Sequence, residues 1–243
     1  MRTVREKTVY QLTFLPRLFP VNCYLVEEED SLTLVDAALP SSAKAILTAM
    51  RAIGKPIARI VLTHAHSDHV GALDALKRAL PDAAVCISGR DARLLEGDVT
   101  LDADEPDTPI RGGIPKALAT RADVLLKEGD RIGPLLAVAA PGHTPGSMAF
   151  LDTRCGALIA GDAFQTAGGI AVSGQLKPRF PFPALATWNR EKALESARKL
   201  RALHPALLAA GHGNMVKEPG SAIDRAIAEA ERFLERNAQT EGS

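Results

Sequence analysis

At 243 residues, with 46% hydrophobic and 24% charged residues, the chain has the make-up of a folded globular protein, not of a disordered or fibrous one. Its 29 basic and 29 acidic side chains cancel, which leaves no net field to attract nucleic acid and no basic stripe to track it. No apolar run approaches the roughly 20 residues of a membrane-spanning helix, so neither nucleic acid nor membrane is an expected partner.

The chain opens with Met1-Arg-Thr-Val-Arg-Glu-Lys-Thr, which lacks the apolar stretch of a secretion signal and points to a cytoplasmic protein. Thr8 to Phe14, Asn22 to Glu28 and Leu32 to Asp36 read as three strands, joined by the Pro16 to Pro20 loop and then by a tight acidic turn. Ser41 or Ser42 is the candidate cap of a helix with Ala45, Ile46 and Met50 on its apolar face, stopped at Gly54-Lys-Pro. Ala58 to Leu62 is a buried strand ending at Thr63. His64, His66, Asp68 and His69 follow in a turn, and Val70, Leu73, Leu76 and Leu80 then recur at the spacing of a helix. Ala83 to Ser88 is another strand, with a helix near Asp91 to Leu95. From Gly97 to Arg121, Asp, Glu, Pro and Gly replace any periodic pattern, which predicts an irregular surface excursion of the kind that often rims a site.

Val124 to Leu126 and Leu135 to Ala140 are strands ahead of Pro141-Gly-His-Thr-Pro-Gly. Met148 to Leu151 and Ala157 to Ala160 form a hairpin through Asp152-Thr-Arg-Cys-Gly, and the second strand ends in Gly161-Asp162. Thr166 to Pro183 is rich in Gly and Pro. A helix from about Ala186 to Leu203, a strand from Ala206 to Ala210 ending in Gly211-His212-Gly213, and a helix from roughly Ser221 to Arg236 complete the chain. Two blocks of strands, each followed by helices, predict a single α/β domain over residues 1–243. Its expected form is a four-layer αβ/βα sandwich, two mixed sheets face to face with helices outside. Cys23, Cys86 and Cys155 are odd in number, sit in apolar strand-like runs and form no Cys-x-x-Cys pair. They read as buried free thiols.

His64, His66, Asp68 and His69 place four strong metal-ligand side chains within six residues. In an extended turn His64 and His66 share a side, whereas Asp68 and His69 belong to the helix start, so the cluster divides into two pairs. A lone histidine usually does no more than satisfy local hydrogen bonds. Four such groups buried together without a cation would carry a heavy desolvation cost, and metal binding is the simpler account. His143, Asp162 and His212 each follow an apolar strand in a turn containing Gly, and strand ends on one sheet edge bring distant positions together. Of the six histidines only His204 stands apart, before Pro205, where it suits a helix C-terminus.

On these motifs the chain resembles the metallo-β-lactamase-fold hydrolases along essentially its whole length. The matching stretches are Thr-His-Ala-His-Ser-Asp-His at 63 to 69, Pro-Gly-His-Thr-Pro-Gly at 141 to 146, Gly-Asp at 161 to 162 and Gly-His-Gly at 211 to 213. The resemblance implies that His64, His66 and His143 hold one metal, that Asp68, His69 and His212 hold a second, and that Asp162 bridges the two. Asp36 matches an acidic position that supports the site. Such donors suit two Zn²⁺ ions, with iron or manganese as alternatives. The expected chemistry is attack of a metal-bridging hydroxide on an acyl carbonyl, with Asp68 orienting it and passing its proton to the leaving group.

In ligand set the resemblance is nearest to acyl-homoserine lactonases and hydroxyacylglutathione hydrolases. The lactonases place a tyrosine three residues past the bridging Asp; here that position is Gln165, beside Phe164. The glutathione hydrolases carry a helical C-terminal extension, whereas one helix's length of chain follows His212. β-Lactamases of the fold generally lack the Asp162-type carboxylate, which leaves a weak β-lactamase only as an alternative. A mononuclear iron sulfur (persulfide) dioxygenase is the alternative of a different class. Phe164, Ile170, Val172, Phe180 and Phe182 are candidates for an apolar substrate wall, or for anchoring their loop to the core. Lys177 and Arg179 are candidates to meet a carboxylate, Gln165 to bond a carbonyl or cap its turn, and Leu15, Leu18 and Phe19 to form a second wall. The expectation is a dinuclear zinc hydrolase, monomer or homodimer, cleaving an acyl ester, lactone or thioester of a small, partly apolar molecule.

Overall fold

The computed structural model describes residues 1–116 and 118–241. Residue 117 of the 97–121 excursion, and residues 242 and 243 at the end of the 1–243 span, lie outside the described residues. A first sheet takes its strands in chain order: β1 (Arg2–Glu6), β2 (Val9–Phe14), β3 (Val21–Glu27), β4 (Leu32–Val35), β5 (Ile57–Val61), β6 (Ala84–Ser88) and β7 (Val124–Leu126). The first four pair antiparallel and β4 to β7 run parallel. Helix α1 (Ala43–Ile53) joins β4 to β5, α2 (Ser67–Val70) and α3 (Leu73–Ala79) join β5 to β6, and α4 (Gly89–Leu95) follows β6.

A second sheet holds β8 (Arg131–Ile132), β9 (Leu135–Ala139), β10 (Met148–Asp152) and β11 (Ala157–Gly161). A separate two-stranded ribbon, β12 (Phe164–Gln165) and β13 (Ala171–Val172), comes next, then α5 (Phe182–Leu185) and α6 (Arg190–Ala202). Strands β14 (Leu207–Ala210) and β15 (Val216–Lys217) rejoin the second sheet, and α7 (Gly220–Glu241) ends the chain. The sheet order is β15-β14-β11-β10-β9-β8. Strand β14 lies parallel to β11, and β9, antiparallel to β10, runs in that same direction.

Period-two alternation explains the layering. In β3, Tyr24 and Val26 face the second sheet, while Cys23 and Leu25 face the helices; β5 and β6 repeat the pattern with Val61 and Cys86 against Ile60 and Val85. Ile159, Ala157, Leu207 and Ala209 answer from the second sheet, forming the core between sheets. Leu158, Ala160 and Leu208 point the other way, onto Leu194, Ala197 and Leu200 of α6 and Ile223 and Ala226 of α7. Ile46, Leu73, Leu76 and Leu94 cover the outer face of the first sheet. The four-layer αβ/βα arrangement is therefore present.

Several boundaries differ from expectation for local reasons. The helix after the histidine turn is two helices, because Gly71 lies where a Cβ would meet Pro40 at 2.6 Å, and its N–H donates to Ala38 rather than up its own helix. Helix α6 starts at Arg190, four residues later than expected, since the Asn189 side chain caps it by accepting from the Lys192 N–H. Ser42 is the N-cap of α1 by position only: its hydroxyl makes no capping bond. Strand β1, polar and largely exposed, escapes a pattern built on burial. Cys23 and Cys86 are buried in strands, but Cys155 sits half-exposed in the β10–β11 turn. Among the described residues no helix is long and apolar enough to cross a membrane.

Candidate metal centre

The parallel-running strands of both sheets present their carboxyl ends at one edge. Asp36 follows β4, His64 follows β5, His143 leaves the turn after β9, Asp162 follows β11 and His212 follows β14. Sheet one clamps the last of these turns. The Asn22 amide donates to the carbonyls of Ala210 (2.8 Å) and Gly213 (2.7 Å), and Gln11 Nε2 donates to Gly213 as well. The structure thus brings all seven expected ligand-type residues together in three overlapping groups: His64, His66 and His143; His64, His69 and Asp162; Asp68, His69 and His212. Within each, the ligand-type atoms lie within 4.8 Å of one another. His204 lies apart, past the end of α6, beside Arg201.

Partners behind each ring fix which nitrogen faces inward. His66 Nε2 is 2.8 Å from the Arg111 carbonyl and His212 Nδ1 is 2.7 Å from the Pro20 carbonyl. A carbonyl only accepts, so those nitrogens carry the hydrogens. His69 Nδ1 donates to Asp36 at 2.9 Å. The Thr63 hydroxyl gives its proton to the same carboxylate, so its oxygen accepts from His64 Nδ1 at 3.0 Å. Behind His143 a longer relay does the same. Thr187 donates to the Pro183 carbonyl and Ser173 to Thr187, which leaves Ser173 Oγ to accept from His143 Nδ1 at 3.0 Å.

His64, His66 and His143 are held neutral by burial, so with their outer nitrogens protonated their inner nitrogens are bare lone pairs. His66 Nδ1 and His143 Nε2 then face each other at 2.9 Å with no proton between them. His64 Nε2, His69 Nε2 and Asp162 Oδ1 are buried without a hydrogen-bond partner. Lone pairs forced together out of water repel. A divalent cation removes the conflict, and the donor set of imidazoles and carboxylates fits one. Converging donors on both sides of Asp162 make this a cluster suited to two metal ions.

Burial, aided by the neighbouring rings, holds His64 well below the usual imidazole range. Burial also holds His143 well below that range, and lowers His66, against the pull of nearby carboxylates. For Asp162 burial acts upward, but His212, His69 and His143 outweigh it and keep the carboxyl well below the ordinary range. At His69 and His212 burial acts downward and loses to Asp162 and Asp68, so both are raised, His69 to about 10. The site attracts positive charge at its carboxylate side and resists protonation of its histidine trio.

Asp91, in the first turn of α4, bridges the two ligand turns. Fully buried, it accepts from Ala65 N–H (2.9 Å), the Thr144 hydroxyl (2.7 Å) and Gly146 N–H (2.8 Å). Burial raises its pKa to about 6 despite those bonds. In Asp91→Asn one carboxylate oxygen becomes an amide N–H, which in either orientation faces a backbone donor, Gly146 N–H or Ala65 N–H, and loosens the link between the two turns. The expected result is a drop in metal affinity of about 10–100-fold, measured by chelator competition; unchanged affinity would detach Asp91 from the site.

The 97–121 excursion also reaches the cluster. Beyond the Arg111 carbonyl, the Gly113 carbonyl accepts from the Ser67 N–H and hydroxyl, and a Cβ on Gly112 would sit 2.3 Å from His66 Nε2. The candidate substrate residues separate into two kinds. Phe164 and Val172 are sealed in the core and offer no wall, with Ile170 packed against it. Gln165 spends its amide on the Ala167 and Phe180 carbonyls, and Lys177 is paired with Glu229 at 2.7 Å. Phe19, Phe180 and Phe182 form a ring cluster with centroids 5.0–5.3 Å apart, in which Phe19 and Phe180 also pack on His212. Leu15 and Leu18 are exposed.

The sequence model of the Metallo-beta-lactamase superfamily matches residues 16–212. The YobT protein of Bacillus subtilis is 58% identical over 96% of this chain and the whole of that protein. A hydroxyacylglutathione hydrolase of Gloeobacter violaceus is 30% identical over 60% of this chain, a match spanning half of that enzyme's length. Among solved structures, TTHA1623 in a di-iron-bound form superposes with a TM-score of 0.64 at 28% identity, covering 87% of this chain and 96% of that one.

Proposed function

The chain belongs to the metallo-β-lactamase superfamily, and from that premise we propose that it is a dinuclear zinc hydrolase of an acyl ester, lactone or thioester. The observation that carries the reading is the 2.9 Å opposition of the His66 and His143 lone pairs, beside the orphaned nitrogens of His64 and His69. His64, His66 and His143 would hold one ion, and Asp68, His69 and His212 the other, with Asp162 between. Bound there, the ions bring the pKa of water from about 15.7 towards 7 and polarise the substrate carbonyl.

The chain's own residues supply the rest. The Asp68 side chain is 28% exposed where the five histidines and Asp162 are almost wholly buried. Its Oδ2 lies 3.5 Å from His212 Nε2 and 3.9 Å from His69 Nε2. It is the cluster's carboxylate at the solvent boundary, suited to orient the attacking water and hand a proton to the departing oxygen or sulfur. Phe19, Phe180 and Phe182 give the partly apolar wall, and the Pro20 carbonyl keeps His212 turned inward. A site framed by side chains from separate turns holds water and carbonyl in fixed relation.

The test is a panel of lactones, thioesters, aryl esters and β-lactams on metal-quantified protein, with oxygen uptake measured on a persulfide. We expect hydrolysis of an ester, lactone or thioester, lost in Asp68→Ala. Oxygen uptake with the persulfide on single-iron protein, or turnover of β-lactams alone, would overturn the assignment.

A further inference from the structure

A cleft of about 310 Å³ opens beside the metal cluster, lined by the 16–20 loop, by Thr166, Ala167 and Gly168, by Arg179 and Phe180, and by the turn after His212. Two of its walls belong to the site already described. Phe180 packs on the His212 ring at 5.2 Å, and Pro20 holds His212 Nδ1 through its carbonyl. The cleft is therefore one side chain away from the reacting centre.

Its charge is one-sided. Arg17 and Arg179 both line it, both are exposed, and no carboxylate does. Among the described residues neither guanidinium has an ion-pair or hydrogen-bond partner, in contrast to Lys177 nearby, whose ammonium is 2.7 Å from Glu229. Two like charges lining one small cleft in a chain of zero net charge gain nothing from each other; they gain from an anion bound in it. A guanidinium fork matches a carboxylate or a phosphate, and the cleft's volume is at the small end for a ligand site, sized for a short terminal group.

We propose that this cleft receives a terminal oxyanion, carboxylate or phosphate, of the substrate whose acyl bond lies at the metal cluster. The Phe19, Phe180 and Phe182 rings cover the apolar stretch between. This deepens the hydrolase reading and rests on it for the placement of the scissile bond. Arg17 and Arg179 then set specificity: acyl compounds with an acidic far end are preferred over neutral ones of the same length.

Two measurements test this. The first compares thioesters of adipic acid (free carboxylate at the far end) with hexanoyl thioesters of the same leaving group. Wild type is expected to favour the adipoyl compound, through KM, by about tenfold or more, the scale of a charge-assisted hydrogen bond. That ratio should fall towards one in the Arg17→Gln, Arg179→Gln double variant and shrink at high salt. The second, independent of turnover, titrates metal-loaded protein with adipate, 5-phosphonopentanoate and hexanoate. Both dianions should bind more tightly than hexanoate in wild type and lose that advantage in the double variant; the tighter dianion identifies the group. No advantage over hexanoate in wild type, or one that survives in the double variant, overturns the proposal. Arginine-dependent binding of dianions, with no turnover of either thioester or of the corresponding aryl esters and lactones, would keep the cleft and reject the hydrolase reading.

Discussion

His66→Ala is expected to lose metal and to cut hydrolysis by roughly 10²–10³-fold or more, the scale on which losing one transition-state-stabilising group is felt. His66 is held from outside by the Arg111 carbonyl at 2.8 Å, and its inner lone pair faces that of His143 at 2.9 Å, where a cation would sit. Alanine removes an inward donor and leaves that carbonyl unanswered. His204→Ala is the matched comparison, because that imidazole lies outside the cluster, near Arg201. It should keep both metal and activity. Metal content by mass spectrometry on dialysed protein reads the difference, and equal content in the two variants would count against the assignment.

Gly211→Ala should be nearly as damaging, for a steric reason. A Cβ at that position would lie 2.1 Å from Asp162 Oδ1 and 2.5 Å from His69 Cε1. Neither neighbour is free to move: His69 is tied to Asp36, and Asp162 is buried at the end of β11. Nor does residue 211 have room to retreat, since its N–H donates to Gly161 at 2.8 Å and its carbonyl accepts from Asn22 at 2.9 Å. Overpacking of this kind costs about 1–3 kcal/mol, and here the strain falls on two ligand-type side chains. Loss of at least one metal equivalent, with far-UV circular dichroism retained, is the expected result. Gly89→Ala provides the contrast, as a Cβ there meets nothing within 4 Å and the residue opens α4. It should leave metal content and melting temperature almost unchanged.

What was legible in the sequence follows from how far each feature reaches along the chain. Strands such as β5, β6, β10 and β11 declare themselves because buried side chains load both faces, and the turns after them stand out because histidine and aspartate are costly to bury. Strand β1 was illegible because its ladder to β2 is made by backbone groups, whatever side chains it carries. The break at Gly71 depends on Pro40, some thirty positions earlier and adjacent only in the fold. The outer partners of the histidines were hidden for the same reason. Ser173 and Thr187 are ordinary hydroxyl residues until Pro183 fixes which way their protons point. Asp91 looked like a helix residue, and only packing shows that it joins two ligand turns. Lys177 carried the right charge for a substrate contact, but Glu229, on the last helix, occupies it.

The account rests on two cations sharing the pocket where the turns of both sheets meet. Anomalous diffraction from crystals of the protein purified with its native metal measures this most directly. Two peaks are expected, one among His64, His66 and His143 and one among Asp68, His69 and His212, with Asp162 touching both. An ordered pocket with no anomalous peak, or metal bound only elsewhere on the protein, would contradict it.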